Sequence, residues 1–244
     1  MDSGFYSACA GLAAQTQALE LVAHNLANLG TTGYRGERTT FQSLLAGSGT
    51  VAANPLNAAV NDFGVLGGSR LDLASGSLVA TGGALDLAIA GEGFFTVRQG
   101  QQTVYTRDGG FHVDARGQLA NAQGDPVLGE QGPITLPNGS VSVSADGTVS
   151  VNGDAVASLK ITEFAANANL QPLGNGMYAA SAGSTLPAAS SSVRQGMLEQ
   201  SNVSAVGSVV ELINVQRSAE MMQRALSIFD SQFNQTAVQD LPRV

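Results

Sequence analysis

Hydrophobic residues at the two ends of this chain recur with the period of a helix, while the long middle alternates with the period of a strand. That division constrains the fold more than any other feature. Near the N-terminus Phe5, Leu12, Leu19 and Leu26 follow one another at intervals of seven, with Ala8 or Cys9, Gln15 or Thr16, and Val22 or Ala23 at the alternate positions. Near the C-terminus Leu212, Val215, Ala219, Met222, Leu226, Phe229 and Phe233 keep a 3,4 spacing over about three heptads, a stronger pattern than the first. The two seams predict an α+β chain: N- and C-terminal helices paired in a coiled-coil-like helical domain, with a central all-β domain inserted between them.

The second of these helices has more apolar surface than one partner covers. At 100° per residue, Val206, Val210, Ile213, Met221 and Ile228 lie roughly opposite the seam, and Arg217 and Arg224 interrupt that face. A helix apolar on two faces is buried on two sides. The N-terminal helix covers one, so Val210, Arg217, Met221, Arg224 and Ile228 are expected to meet neighbouring copies.

Composition excludes several functions. With 244 residues and 43% hydrophobic content the chain buries a substantial core. Charged residues make up only 12%, the formal net charge is −8 and Lys160 is the single lysine, so there is no basic footprint for nucleic acid or anionic lipid. No run of about twenty apolar residues suits a membrane span. The opening residues lack a charged n-region, which implies export, if any, without a cleaved signal peptide. Cys9 is alone and excludes an intrachain disulfide; its neighbours Ala8, Ala10 and Leu12 suggest a small buried residue.

The organisation along the chain is nested. A helix capped by Asp2 or Ser3 runs to about Leu29, giving a first segment over 1–30 that Gly30, Thr31, Thr32 and Gly33 close. A Gly/Ser-rich extended connector covers 31–83, the central β domain 84–180, a Ser/Ala-rich return linker 181–200, and the C-terminal helix 201–244, with Ser201 or Asn202 as N-cap. Connector residues 46–83 are poorly patterned and long for a compact domain, which points to an interface-forming role. In the middle, Leu85, Leu87 and Ile89 alternate with polar or small residues, and short candidate strands follow at 95–97, 103–107, 111–114, 134–136, 141–143, 148–151 and 159–164. Such strands imply a sandwich or an irregular barrel. Asp108-Gly109, Asn138-Gly139, Asp146-Gly147, Asn152-Gly153 and Asn175-Gly176 supply the left-handed positions that tight turns use.

No catalytic constellation emerges. His24 and His112 are the only histidines and lack metal-ligand spacing, so no catalytic, cofactor or metal residue is assigned. Gly91-Glu92-Gly93 leads into Phe94-Phe95 and a strand, where its glycines read as a bend and not a phosphate cradle. Asp108, Asp114, Asp125 and Asp146 each sit beside Gly or Pro near a turn, and turn chemistry accounts for them better than acid–base work. Arg107 is expected to pair locally with a carboxylate or to meet a neighbouring subunit. A periplasmic β-domain hydrolase and an adhesin-like fibre subunit are the alternatives in other functional classes; the first needs converging carboxylates, the second gives no reason for helical ends.

The segment 23–35, Ala-His-Asn-Leu-Ala-Asn-Leu-Gly-Thr-Thr-Gly-Tyr-Arg, resembles the signature of bacterial flagellar axial proteins, which comprise rods and hook. The resemblance continues through residues 85–95, 105–111 and 196–203, in the family's order and over nearly the whole chain. Its matching residues include Asn25, Leu26, Ala27, Asn28, Thr32, Gly33 and Tyr34 in the first segment and Ser201, Asn202 and Val203 in the last. The run 124–137 and the short length look most like the proximal-rod type, with the distal rod protein as close rival and the hook further off.

The resemblance implies a non-enzymatic subunit of the basal-body rod that spans the periplasm. It further implies that terminal helices polymerise into a hollow drive shaft for motility, with other rod proteins and the flagellar type III export apparatus as partners. A C-terminal helix of about 33 residues, ~50 Å long, reaches several neighbours in such a tube. The Ala-rich first seam is too weak to offset its ordering entropy alone, so the ends are expected to order on assembly.

Overall fold

The computed structural model describes the backbone of residues 2–42, 65–165, 168–181, 183–187 and 190–240; the side chains of 2–8, 39–42, 65–68, 187, 225, 229–230 and 232–240 lie outside what it describes. The chain divides into two compact units, one of residues 1–27, 37–70 and 204–244, the other of residues 28–36 and 71–203.

Unit one contains the two long helices, α1 (Asp2–Ala27) and α2 (Ala205–Asp240), packed along each other. At 1.5 Å per residue the 36 residues of α2 extend about 54 Å. In α1 the fully buried positions are Gly11, Ala14, Ala18, Val22 and Asn25, while Leu12, Leu19 and Leu26 are half-buried beside them. Small residues thus take the closest approach and the leucines flank it, since helix separation is set by the side chains at the contact. Cys9 is exposed, against expectation. It lies two residues before Gly11, about 200° round the helix from the covered stripe. On α2, Leu212, Val215, Ala219, Met222 and Leu226 form a half-buried stripe. The side chains of Phe5, Phe229 and Phe233, expected on the seams, fall outside the described residues.

The cap of α2 differs from expectation. Ser204 is the N-cap, its Oγ accepting from Gly207 N at 3.3 Å, and its carbonyl accepts the helical bond from Ser208 N at 2.8 Å. Asn202 is engaged elsewhere, as described below. At the other end α1 stops at Ala27. Asn28 then opens a turn, its carbonyl accepting from Thr31 N at 3.2 Å and its Oδ1 from Thr31 Oγ1 at 3.1 Å.

Unit two is built on an antiparallel six-stranded sheet in the order Leu170–Gly174, Met177–Ala180, Gln102–Thr106, Phe94–Gln99, Ile161–Phe164, Thr185–Pro187. Alternation sends Phe95 and Val97 to one face and Phe94 and Thr96 to the other. On the first face Phe95 and Val97 join Leu87, Ile89, Val104, Phe111, Leu119, Ile134 and others in the main core. On the second Phe94, Tyr105, Phe164, Leu170 and Tyr178 make a smaller aromatic cluster, with Phe94 and Tyr105 edge-on to Phe164 at 5.3 and 4.9 Å. Each such side chain contributes about 1.5–3 kcal/mol by leaving water.

A three-stranded meander, Val141–Val143, Thr148–Val151 and Asp154–Ser158, lies beside the core. Its second turn holds Asn152 at φ 55° and Gly153 at φ 97°, and the turn Asn175-Gly176 has φ 52° and 68°. Both match the left-handed pair that a two-residue hairpin needs. Gly109 and Gly139 are not left-handed. Gly109 is required instead because a Cβ there would overlap the Leu87 carbonyl.

Two stretches expected as connectors carry strands. Residues 181–200 include Ser192–Gln195, paired with Leu87–Ala90, and Met197–Glu199, paired with Leu78–Ala80. Residues 31–83 include Glu37–Gln42 paired with Val65–Leu71. Their Gly/Ser-rich composition hides strands whose stability comes from a distant partner and not from side-chain alternation. Connector residues 43–64 lie outside the described set.

Candidate functional site

Gly33, Tyr34 and Arg35 enter unit two beside the strand that ends at Glu199. Gly33 N donates to the Glu199 carbonyl at 2.8 Å, Asn202 N donates to the Tyr34 carbonyl at 3.3 Å, and Arg35 N donates to the Tyr178 hydroxyl at 3.0 Å. Gly33 is doubly determined. Its φ is +65°, and a Cβ would overlap the Arg107 and Asp108 backbone. Thr32 Oγ1 adds a 2.7 Å bond to Asp108 Oδ1, so the segment is stapled to the turn that follows Gln102–Thr106.

The side chains behind this backbone form a buried ionic cluster. Glu199 receives Arg35 Nη1 at 2.7 Å on one carboxylate oxygen and Arg107 Nη1 at 3.1 Å on the other, and all three side chains are at most 1% exposed. Gly76 N completes the carboxylate's set at 2.7 Å. Arg107 also donates to the carbonyls of Ile89 at 3.3 Å and Gly91 at 2.7 Å, with its guanidinium carbon 4.9 Å above the centre of the Phe94 ring. Burial, and next the charge of Arg35, lower the Arg107 pKa to about 10, with Glu199 opposing both. The Arg35–Glu199 approach is an ion contact without hydrogen-bond alignment, and Arg35 Nε and Nη2 find no acceptor among the described residues.

Two asparagines, one in each unit, use their side-chain amides as a substitute backbone. Asn202 accepts from Gly36 N at 2.8 Å and donates to the carbonyls of Asp72 and Ala74, both at 2.9 Å. In unit one, Asn25 accepts from Glu37 N at 3.0 Å and donates to the Glu37 carbonyl at 2.8 Å, anchoring the start of the strand Glu37–Gln42 to α1. Ser201 Oγ accepts from Val203 N at 3.3 Å in a local turn.

Arg107 therefore does pair with a carboxylate, but not a local one: it comes from 92 positions downstream. Glu199 was the member hardest to see: it stands in a stretch that reads as linker. The available signal was the arginines. Arg35 stands between Tyr34 and Gly36, and Arg107 two positions from both Tyr105 and Gly109, in a chain with few cations.

Asp108, Asp114 and Asp146 each use the carboxylate on groups of their own turn. Asp114 Oδ1 accepts from Arg116 N and Gln118 N, Asp108 Oδ1 from Gly110 N, and Asp146 from Thr148, which lowers its pKa. Among the described residues, no group of three or more His, Cys, Asp or Glu is placed to hold a metal ion, and no helix is long and apolar enough to cross a membrane.

On α2 the face away from the half-buried stripe is open to solvent in the single chain. Val206, Val210, Ile213, Met221 and Ile228 are 43–77% exposed. Arg217 and Arg224 are also exposed, Arg224 lying 3.9 Å from Glu220 one turn away. Such a pair adds a few tenths of a kcal/mol at most.

Three family models match the chain: "Flagella basal body rod protein" over residues 5–35, "Flagellar hook protein FlgE/F/G D1 domain" over 88–151, and "Flagellar basal body rod FlgEFG protein C-terminal" over 194–238. Among curated proteins, the chain is similar to the flagellar basal-body rod protein FlgF of Mesorhizobium japonicum, 33% identical over 90% of each chain. It is also similar to the FlgG of Agrobacterium fabrum, 31% identical over 91% of this chain and 94% of that one, and to the FlgF of Caulobacter vibrioides, 31% identical over the full length of both. Each of the three matched segments supplies one member of the buried cluster: Arg35, Arg107 and Glu199.

Proposed function

The chain belongs to the family of flagellar basal-body rod proteins, and from that membership we propose that it is a structural subunit of the rod, the drive shaft of flagellum-dependent motility. We assign it to the proximal-rod type on its length and on the run 124–137. Its relatives named FlgF and FlgG match at similar identity, so tagging the β unit and imaging isolated basal bodies decides the level at which it sits.

The observation that carries the reading is the open apolar face of α2. Exposed Val206, Val210, Ile213, Met221 and Ile228 on one helix are costly in water and gain by burial against further copies and other rod proteins. In this reading α1 and α2 pair through their 3,4-spaced stripes: Ala14, Ala18 and Val22 take the closest approach on α1, flanked by Leu12, Leu19 and Leu26, against Leu212, Val215, Met222 and Leu226 on α2. Val210, Met221 and Ile228, with Arg217 and Arg224, then dock on neighbours around a hollow tube. The subunit reaches its place through the flagellar export apparatus and acts by stiffness, with no catalysis.

The test is Met221→Asp with Ile228→Asp, at positions whose exposure spares the fold of the single chain. Cells carrying it are expected to have incomplete rods and not to swim. Normal rods and normal swimming overturn the proposal.

A further inference from the structure

Arg35 and Arg107 are two buried like charges contributed by segments far apart in the chain, and Glu199 is the only carboxylate in ion-pair contact with either among the described residues. Removing one partner of a buried pair leaves an uncompensated charge, which costs a large part of the margin by which a domain is stable. We infer that Glu199 is the closing element of unit two: the β unit becomes native only when the segment 196–203 is drawn into it, so the chain gates its own closure from its far end.

The backbone geometry points the same way. Residues 196–203 hold together segments that make few bonds to one another. Gly196 accepts from Thr81 N at 2.8 Å, Met197–Glu199 pairs with Leu78–Ala80, and Glu199 takes Gly33 N and Gly76 N. Asn202 takes Gly36 N and holds the carbonyls of Asp72 and Ala74. The two backbones approach closely, since a Cβ on Gly76 would overlap the Gln200 carbonyl. Arg107, at the end of Gln102–Thr106, is stacked on Phe94 of the adjacent strand, so its charge lies against the central pair of the six-stranded sheet. Until Glu199 arrives, that sheet closes over an unpaired guanidinium. A β unit gated in this way stays open while most of the chain is already available. The inference rests on the cluster and stands or falls apart from the rod assignment.

Pulse-labelled hydrogen exchange during refolding of the full-length wild-type chain tests the order directly. Amides of Phe94–Gln99 and Gln102–Thr106 are expected to gain protection in the same kinetic phase as those of Met197–Glu199. Protection of the two central strands about tenfold earlier overturns the inference, because the sheet would then form by its own ladder. At equilibrium, Glu199→Gln is expected to lower protection of these strands by about 100-fold, and Arg35→Met added to it to restore about tenfold by removing the surplus charge. A change within about threefold for Glu199→Gln, or no restoration in the double variant, also overturns it, assigning Glu199 a role of shape alone. Should Glu199→Gln not fold at all, the wild-type refolding order still decides.

Discussion

The side-chain oxygen of Asn202 accepts the amide of Gly36 at 2.8 Å across 166 positions of sequence, fastening the residue that follows Arg35 to the segment just before α2. Through this bond the chain's entry into and exit from unit two are held side by side. The same amide group holds the carbonyls of Asp72 and Ala74, so one side chain satisfies three backbone groups in place of a strand.

Asn202→Ala removes all three bonds. At about 1 kcal/mol each the expected loss is about 2–3 kcal/mol. Asn202→Asp keeps the acceptor for Gly36 N but sets a carboxylate against two carbonyls, so it is expected to be no better than Ala. Urea denaturation of the full-length chain, followed by tyrosine fluorescence from unit two, measures both. An Asp variant as stable as wild type would show that the two carbonyl contacts contribute nothing.

Asn25 performs the corresponding task in unit one, holding both the amide and the carbonyl of Glu37. Asn25→Ala is expected to cost about 1–2 kcal/mol locally, because the Glu37 amide and carbonyl both lose a part-buried partner. Hydrogen exchange at Glu37 and in the strand Glu37–Gln42 is the sensitive readout. Exchange there should accelerate while Phe94–Gln99 in unit two is unchanged.

Glycine substitution separates conformational strain from steric overlap. Gly100 lies at φ 61° with nothing within 4 Å of an added Cβ, so Gly100→Ala carries only the left-handed penalty of about 1–2 kcal/mol. Gly33, at φ 65°, adds an overlap with the Arg107 and Asp108 backbone, and Gly33→Ala is expected to cost about 3 kcal/mol or more. Thermal denaturation of the two variants side by side gives the comparison. Equal losses would mean that the 33–36 segment moves aside freely.

Arg107 gives a pH signature in the alkaline range. Its folded pKa of about 10 lies below the ordinary guanidinium range, so below pH 10 both states are protonated and the burial penalty is fully present. As pH rises through about 10, the folded form releases its proton before the unfolded form does, and stability rises by linkage. Relative to Arg107→Met, the wild-type chain is therefore expected to gain stability between about pH 9 and pH 11. Denaturant midpoints of the two across that range provide the check; parallel curves would refute the assignment.

Much of the architecture was legible in the sequence. The terminal helices, the β middle and the turns at Asn152-Gly153 and Asn175-Gly176 all stand where local pattern puts them. A helix face or a left-handed turn is decided by residues within a few positions of each other, and its energetics travel with the local sequence. Strands inside the return segment escape local pattern for the complementary reason: Ser192–Gln195 and Met197–Glu199 are strands because Leu87–Ala90 and Leu78–Ala80 lie beside them.

The candidate site divides along the same line. By itself the sequence determined the helices, the period of the β strands and the segments that carry the family resemblance, since each depends on neighbours along the chain. Tertiary structure alone decided that Glu199 answers both Arg35 and Arg107, that Ser204 caps α2 while Asn202 ties down Gly36, and that Cys9 faces outward. A buried charge is tolerated only beside its counter-charge, and no local pattern records which distant residue supplies it.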